Sequence, residues 1–261
     1  MRMTLALLLG AVLLTGCDST EQTQPETRQG ENRSSTSVTQ PVRILIELKK
    51  SAPQCEDKNC PQVHITWLNY EDQPALNQAI ETRLASMLVR QEGDAIHDGS
   101  IEGLADAFLA DASDMAMATE QGWELNASVK QQRSKAGLLT FSMESYEYTG
   151  GAHGQPVVAY FHWDLEKQQW VLLNELLEPG QQETFWDLAR LAHREWLDDQ
   201  KLDDNFRESW PFDKTDDAFF NEKGLVLQYN VYHIAPYAMG QPQLLLPYDK
   251  LKGIVRDKYL P

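Results

Sequence analysis

Six histidines, at positions 64, 97, 153, 162, 193 and 233, are the side chains of this sequence best suited to proton transfer near neutral pH. One stands out by context. In Tyr148-Thr149-Gly150-Gly151-Ala152-His153-Gly154 the imidazole sits among three glycines, which permit the positive φ that a sharp strand-to-strand connection needs. A hydrolase built on His153 would need a nucleophile or an acid beside it, with Tyr148 or a nearby carboxylate in that role. None of the histidines falls in an HExxH pattern, and no G-x-S-x-G, Walker or G-x-G-x-x-G motif occurs. No catalytic residue, metal site or cofactor is therefore expected. His162 and His193 have apolar neighbours, the setting of structural histidines. A second segment, Tyr232-His233-Ile234-Ala235-Pro236-Tyr237-Ala238-Met239-Gly240, supplies amphipathic aromatics with few torsions to freeze. His153, Tyr232, His233, Pro236 and Tyr237 are the residues expected at a partner contact. The plain alternative is that Pro236 and Gly240 only turn the chain while Tyr237 packs inward.

Bulk charge narrows the partner. With 23 Lys+Arg against 39 Asp+Glu the formal net charge is -16, which disfavours nucleic acid and anionic lipid as main targets. Acidic loops, such as the one holding Asp203, Asp204, Asp213, Asp216 and Asp217, would instead steer a cationic partner, or simply be solvated.

The N-terminus speaks to compartment. Met1-Arg2-Met3-Thr4 precedes an apolar run, residues 5–16, too short for the ~20 residues a bilayer-spanning helix needs. It reads as an export signal. Its end, Leu13-Leu14-Thr15-Gly16-Cys17, resembles a bacterial lipobox, in which the cysteine is lipidated after cleavage. Asp18 resembles the residue that retains lipoproteins on the inner membrane, a rule that transfers poorly between lineages and leaves inner or outer membrane open. Two cysteines remain, Cys55 and Cys60, and an even pair in an oxidising compartment is expected to close a disulfide.

Elements must position these residues. Residues 18–40 are Ser-, Thr-, Gln- and Glu-rich and read as a flexible tether. Val42, Ile44, Ile46 and Leu48 alternate as one strand face, and Val63, Ile65 and Trp67 as another. Leu76, Ile80, Leu84 and Leu88 recur at helical spacing after Pro74; Ile101, Leu104, Ala105, Phe108 and Leu109 do so after a capping Ser100. Alternating runs at 123–132 and 138–148 flank a turn predicted over 133–137. A hairpin over 156–176, a helix over 183–200, an irregular acidic loop over 203–217, strands over 224–232 and 243–247 and a short terminal helix complete the chain. The mixture lacks a strict βαβ rhythm, so the fold class is α+β, two mixed modules with antiparallel strands and packed helices.

The stretch from Ser142 through Leu177, with its GGAHG turn, and the stretch Phe220–Val255, with its Y-x-I-A-P-Y-A-x-G loop, resemble the paired DUF4163 and DUF3298 modules of RsiV-like, PdaC/SigV-type bacterial envelope lipoproteins. The likeness covers residues 55–256 and implies four segments: signal 1–16, lipidated linker 17–40, a DUF4163-like module 41–152 and a DUF3298-like module 153–261. RsiV-type relatives bind lysozyme, and relatives fused to polysaccharide deacetylases carry catalysis in a separate domain. The resemblance thus implies a lipid-anchored body facing the periplasm that binds without catalysis, its partner a cationic lysozyme-type muramidase or a peptidoglycan fragment, with no role for nucleic acid. The alternatives are a periplasmic hydrolase using His153 and an envelope scaffold marked by a large apolar patch.

Overall fold

A computed structural model describes residues 41–53, 55, 59–89, 97–115 and 122–261. The export signal, the lipobox Cys17, Asp18 and the tether lie outside the described residues. Among the described residues the architecture is α+β, nine strands in two sheets with five α-helices.

The larger sheet runs in the order β1 (Arg43–Ser51), β2 (Gln62–Tyr70), β3 (Glu124–Lys135), β4 (Leu138–Tyr148), β5 (Gln155–Asp164) and β6 (Gln169–Val171). Neighbours are antiparallel except β2 and β3, which run parallel. A parallel pair needs a long crossover, and α1 (Pro74–Leu88) and α2 (Ile101–Met115) lie in it. Pro74 starts α1, and the Ser100 hydroxyl accepts the Gly103 amide at 2.9 Å at the head of α2. Both helices bury their predicted stripes against Val63, Ile65, Leu125, Phe141 and Met143 on one sheet face. β1 departs from expectation. Only Ile46 and Leu48 of its four-residue face are half-buried; Val42 and Ile44 stay exposed. α2 reaches only the far end of this edge strand, where Lys50 pairs with Asp106 at 2.6 Å.

Two further readings change. Strand β3 continues through Arg133, Ser134 and Lys135, because the turn needs only Ala136 and Gly137, both at positive φ. The acidic loop contains a helix, α4 (Asp204–Ser209), started by the Asp203 carboxylate accepting the Phe206 amide at 2.9 Å, and a short strand, β7 (Ala218–Phe220), follows it.

The smaller sheet joins β7, β8 (Gly224–Gln228) and β9 (Gln243–Pro247), all antiparallel. The long helix α3 (Gln182–Asp199) buries Phe185, Ala189 and Ala192 with Leu225, Leu227, Leu244 and Leu246, and α5 (Tyr248–Leu251) adds Leu251. Leu138 and Val171 of the larger sheet join this second core. The segment boundary at 152/153 falls in the turn between β4 and β5, so the larger sheet continues across it. Cys55 and Cys60 are joined in a disulfide, their Cα atoms 5.5 Å apart.

Candidate functional site

Because side chains alternate across a strand, the larger sheet has a second face away from α1 and α2. On it the register aligns polar residues in rows. Thr66 lies beside Ser128, Ser128 beside Glu144, and Glu144 beside Val158. The next row runs His64, Asn126, Tyr146, Pro156. Neighbouring strands stand ~4.8 Å apart, so at that spacing β2, β3 and β4 each present a polar side chain to each row, and both rows end on β5 in the apolar Val158 and Pro156.

The smaller sheet covers the β5 end of this face and leaves the rest open as a groove of about 560 Å³. Gln228, Gln241 and Gln243 form its wall. These amides hold one another: Gln243 Nε2 donates to Gln228 Oε1 at 2.8 Å, and Gln241 Nε2 donates to Asn230 Oδ1 at 3.0 Å. The wall is fastened to β5 by side chains that imitate a neighbouring strand. Asn230 accepts the Val158 amide at 2.8 Å and donates to its carbonyl at 3.0 Å, while Asp217 accepts the Tyr160 amide at 2.7 Å. Burial pushes the Asp217 carboxyl up, a tendency that the Tyr160 amide partly opposes. Burial also raises the Tyr160 phenol, helped by the negative charges of Glu144 and Asp217. Tyr160 stacks on Phe219 with centroids 4.4 Å apart, which fixes the ring at the groove margin. At the opposite margin His64 Nε2 meets Glu47 at 2.9 Å, and Glu47 is held below the ordinary carboxylate range by Lys49 first and His64 second.

Of the predicted contact residues, none of which lines the groove, His153, Tyr232 and Tyr237 come together beside it. Gly150 and Gly151 have the expected positive φ, but Gly154 is required for another reason. A Cβ there would sit 2.4 Å from Tyr146 Cζ and 2.7 Å from the Glu147 carbonyl. Tyr146 lines the groove, so Gly154 lets the turn close against it. His153 stacks on Tyr237 with centroids 3.7 Å apart, and the Tyr237 hydroxyl donates to the Gly154 carbonyl at 2.9 Å. Tyr232 stands 5.7 Å from Tyr237, half exposed and at φ 64°, an uncommon conformation for a bulky residue. Pro236 precedes the 3₁₀ turn that carries Tyr237. His233 turns elsewhere, its Nε2 3.1 Å from Asp213.

This geometry supplies no triad at His153. Its Nδ1 lies 3.1 Å from the Gly154 carbonyl, and the Tyr148 hydroxyl donates to the Gly151 carbonyl at 3.1 Å rather than to the imidazole. Among the described residues no three His, Cys, Asp or Glu side chains converge as a metal site requires, and no helix is long and apolar enough to cross a membrane. Rigid amides, hydroxyls that both donate and accept, and rings at two margins suit a neutral, hydroxyl-rich ligand. The sequence reading missed the groove because alternating polar positions in Glu124-Leu125-Asn126-Ala127-Ser128 look like any solvated strand face; only the register shows that Thr66, Ser128 and Glu144 form a row.

Comparison with known proteins places this geometry. Residues 54–155 match a family model described as Deacetylase PdaC, where DUF4163 had been expected, and residues 174–249 match DUF3298, a protein family of unknown function. A solved DUF3298 family protein from Pseudomonas aeruginosa PAO1 is 32% identical and superimposes with a TM-score of 0.71, over 85% of this chain and 97% of that one. A DUF3298 member from Bacteroides fragilis NCTC 9343 shares the fold at 17% identity and a TM-score of 0.63, over 84% and 94% of the two chains. The peptidoglycan-N-acetylmuramic acid deacetylase PdaC of Bacillus subtilis strain 168 is 23% identical over 142 residues, 52% of this chain but only 30% of that protein's length. The expectation that this chain is not an enzyme is thereby corrected: its first half matches a deacetylase family model, and a named deacetylase is among its relatives.

Proposed function

This chain belongs to the DUF3298 family, and from that premise we propose that it is an envelope protein that engages the glycan strand of peptidoglycan in the groove between its two sheets. The polar rows of the larger sheet, facing the glutamine wall, carry this reading. An N-acetylated sugar offers hydroxyls and an amide, which need donors and acceptors at close spacing; Thr66, Ser128, Asn126, Gln241 and Gln243 provide both, with buried Gln228 bracing Gln243. Sugar rings also have apolar C–H faces, and Tyr146 at the margin, with the His153–Tyr237 stack beyond Gly154, provides flat surfaces for them. The mutual hydrogen bonds of Gln243, Gln228, Gln241 and Asn230 fix the wall before ligand arrives, which lowers the ordering cost of binding. Two facts agree with an extracytoplasmic setting: the Cys55–Cys60 disulfide suits an oxidising compartment, and the relative is named for action on peptidoglycan. Lipidation of Cys17 would hold the body at a membrane, facing the wall polymer.

Co-sedimentation with purified sacculi tests the proposal. The wild-type chain is expected to pellet with them, and Ser128→Trp, which fills the groove from an open face, should reduce the bound fraction about tenfold at unchanged melting temperature. Equal pelleting of the two proteins, or none of either, contradicts it. The net charge of -16 favours a second reading, docking of a cationic lysozyme-type muramidase at the Tyr232–Tyr237–His153 ladder. That contact should weaken steeply between low and physiological salt, as steering by surface charge does.

A further inference from the structure

A second cavity, of about 850 Å³, lies on the same face of the larger sheet beyond the covered region, where β3 meets the β7–β8 turn. It has the opposite electrostatic character to the molecule. Arg133, Lys135 and Lys223 line it; Glu222 is its one carboxylate-bearing side chain, and Pro261, the last residue of the sequence, also lines it.

A backbone irregularity puts the first two there. Along β3, Leu125, Ala127 and Val129 point into the helix-covered core. Strict alternation would send residues 133 and 135 the same way. The register between β3 and β4 shifts between Gln131 and Arg133, so Arg133 pairs with Thr140 and Lys135 with Leu138. This bulge moves both cations to the face that meets the smaller sheet, as bulges do where a side chain is to be re-aimed.

Their partners are neutral. Arg133 lies over the Phe220 ring at 4.5 Å and donates from Nη2 to the Tyr259 carbonyl at 3.0 Å. Lys135 Nζ donates to the Leu260 carbonyl. The Lys223 side chain makes no ion pair among the described residues. Several other cations of this acidic chain do meet carboxylates, Lys50 with Asp106, Lys130 with Glu144, Arg190 with Asp187 and Arg207 with Asp198. A half-buried guanidinium without a carboxylate carries a desolvation cost that only an anion can fully offset, and burial does pull Arg133 below its usual range.

We propose that this pocket binds a small oxyanion ligand carrying at least two negative charges. The Arg133 fork would take two oxygens, Lys135 and Lys223 would meet the remaining charge, and Gln132 and Tyr248 would line the neutral part. The site is separate from the glycan groove and does not depend on it.

Isothermal titration of the full-length chain at low ionic strength, with pyrophosphate in one arm and citrate in the other, tests the proposal. One saturable site is expected for at least one probe, and the responding arm assigns phosphate or carboxylate chemistry. Arg133→Gln should weaken binding about tenfold or more, equivalent to ~1.4 kcal/mol. Lys223→Gln, which alters an exposed side chain that supports nothing else, should weaken it about threefold while leaving the melting temperature unchanged. Absence of saturable binding of either probe up to about 10 mM, or an affinity untouched by both substitutions, would overturn the assignment.

Discussion

At the scale of single residues, His162 carries a consequence that stability can report. It is buried on the face shared by the two sheets, 2.9 Å from the Thr140 hydroxyl. Burial first, and the Arg133 charge second, lower its pKa to about 4. The unfolded chain takes up this proton near pH 6.5, the folded one only near 4, so folding excludes a proton throughout that window. Stability should therefore fall as pH drops from about 6.5 to 4, by up to ~1.4 kcal/mol per pH unit from this group. His193, also lowered by burial, acts in the same direction. His162→Gln should flatten the melting-temperature profile over that range; an unchanged slope would remove His162 as its cause. His153 illustrates what the sequence made legible. Its glycine turn and the Tyr237 loop were both identifiable as motifs, but their stacking across 84 positions of chain needs the β4–β5 hairpin and the smaller sheet in place. Gly154 looked like a third turn glycine, yet its role is close approach to Tyr146, which no local pattern encodes.

At the scale of elements, two side chains, Asn230 and Asp217, hydrogen-bond the free backbone of β5 beside the smaller sheet. Asn230→Ala would strand the Val158 amide and carbonyl in a partly buried seam, and each unpaired group costs roughly 1–3 kcal/mol. Chemical denaturation is expected to show a loss of at least ~2 kcal/mol on that account, and glycan binding should weaken because the Gln241 anchor goes with it. A loss below about 0.5 kcal/mol would mean that the seam holds by packing alone. Neither Asn230 nor Asp217 was legible as a joint: Asp217 ends a polar acidic stretch that reads as a loop, and Asn230 falls in the strand predicted over 224–232, where nothing local marks it as a clamp on β5. The helices were legible because 3.6-residue periodicity reports burial directly: Leu76, Ile80, Leu84 and Leu88 all reach the core. The end of β3 was not, because Arg133-Ser134-Lys135 is polar and carries no alternation; the bulge and the open face allow it to stay extended.

At the scale of the molecule, two cores stand on either side of one sheet, and the polar face they leave uncovered is the groove. Charge is unevenly distributed over this body: the excess of carboxylates gives the net -16, while the β3 bulge brings Arg133 and Lys135 into one pocket with Lys223 of the β7–β8 turn. The fold class followed from composition and periodicity, whereas the groove depends on registers between paired strands as far apart in sequence as Thr66 and Ser128, which periodicity does not specify. The central claim is that the groove holds the peptidoglycan glycan. Heteronuclear NMR titration with a defined N-acetylglucosamine–N-acetylmuramic acid fragment tests it most directly. The account predicts saturable shifts at His64, Thr66, Asn126, Ser128, Tyr146 and Gln243, with the α1 and α2 face silent. Shifts confined to that helical face, or none at saturating sugar, would contradict it.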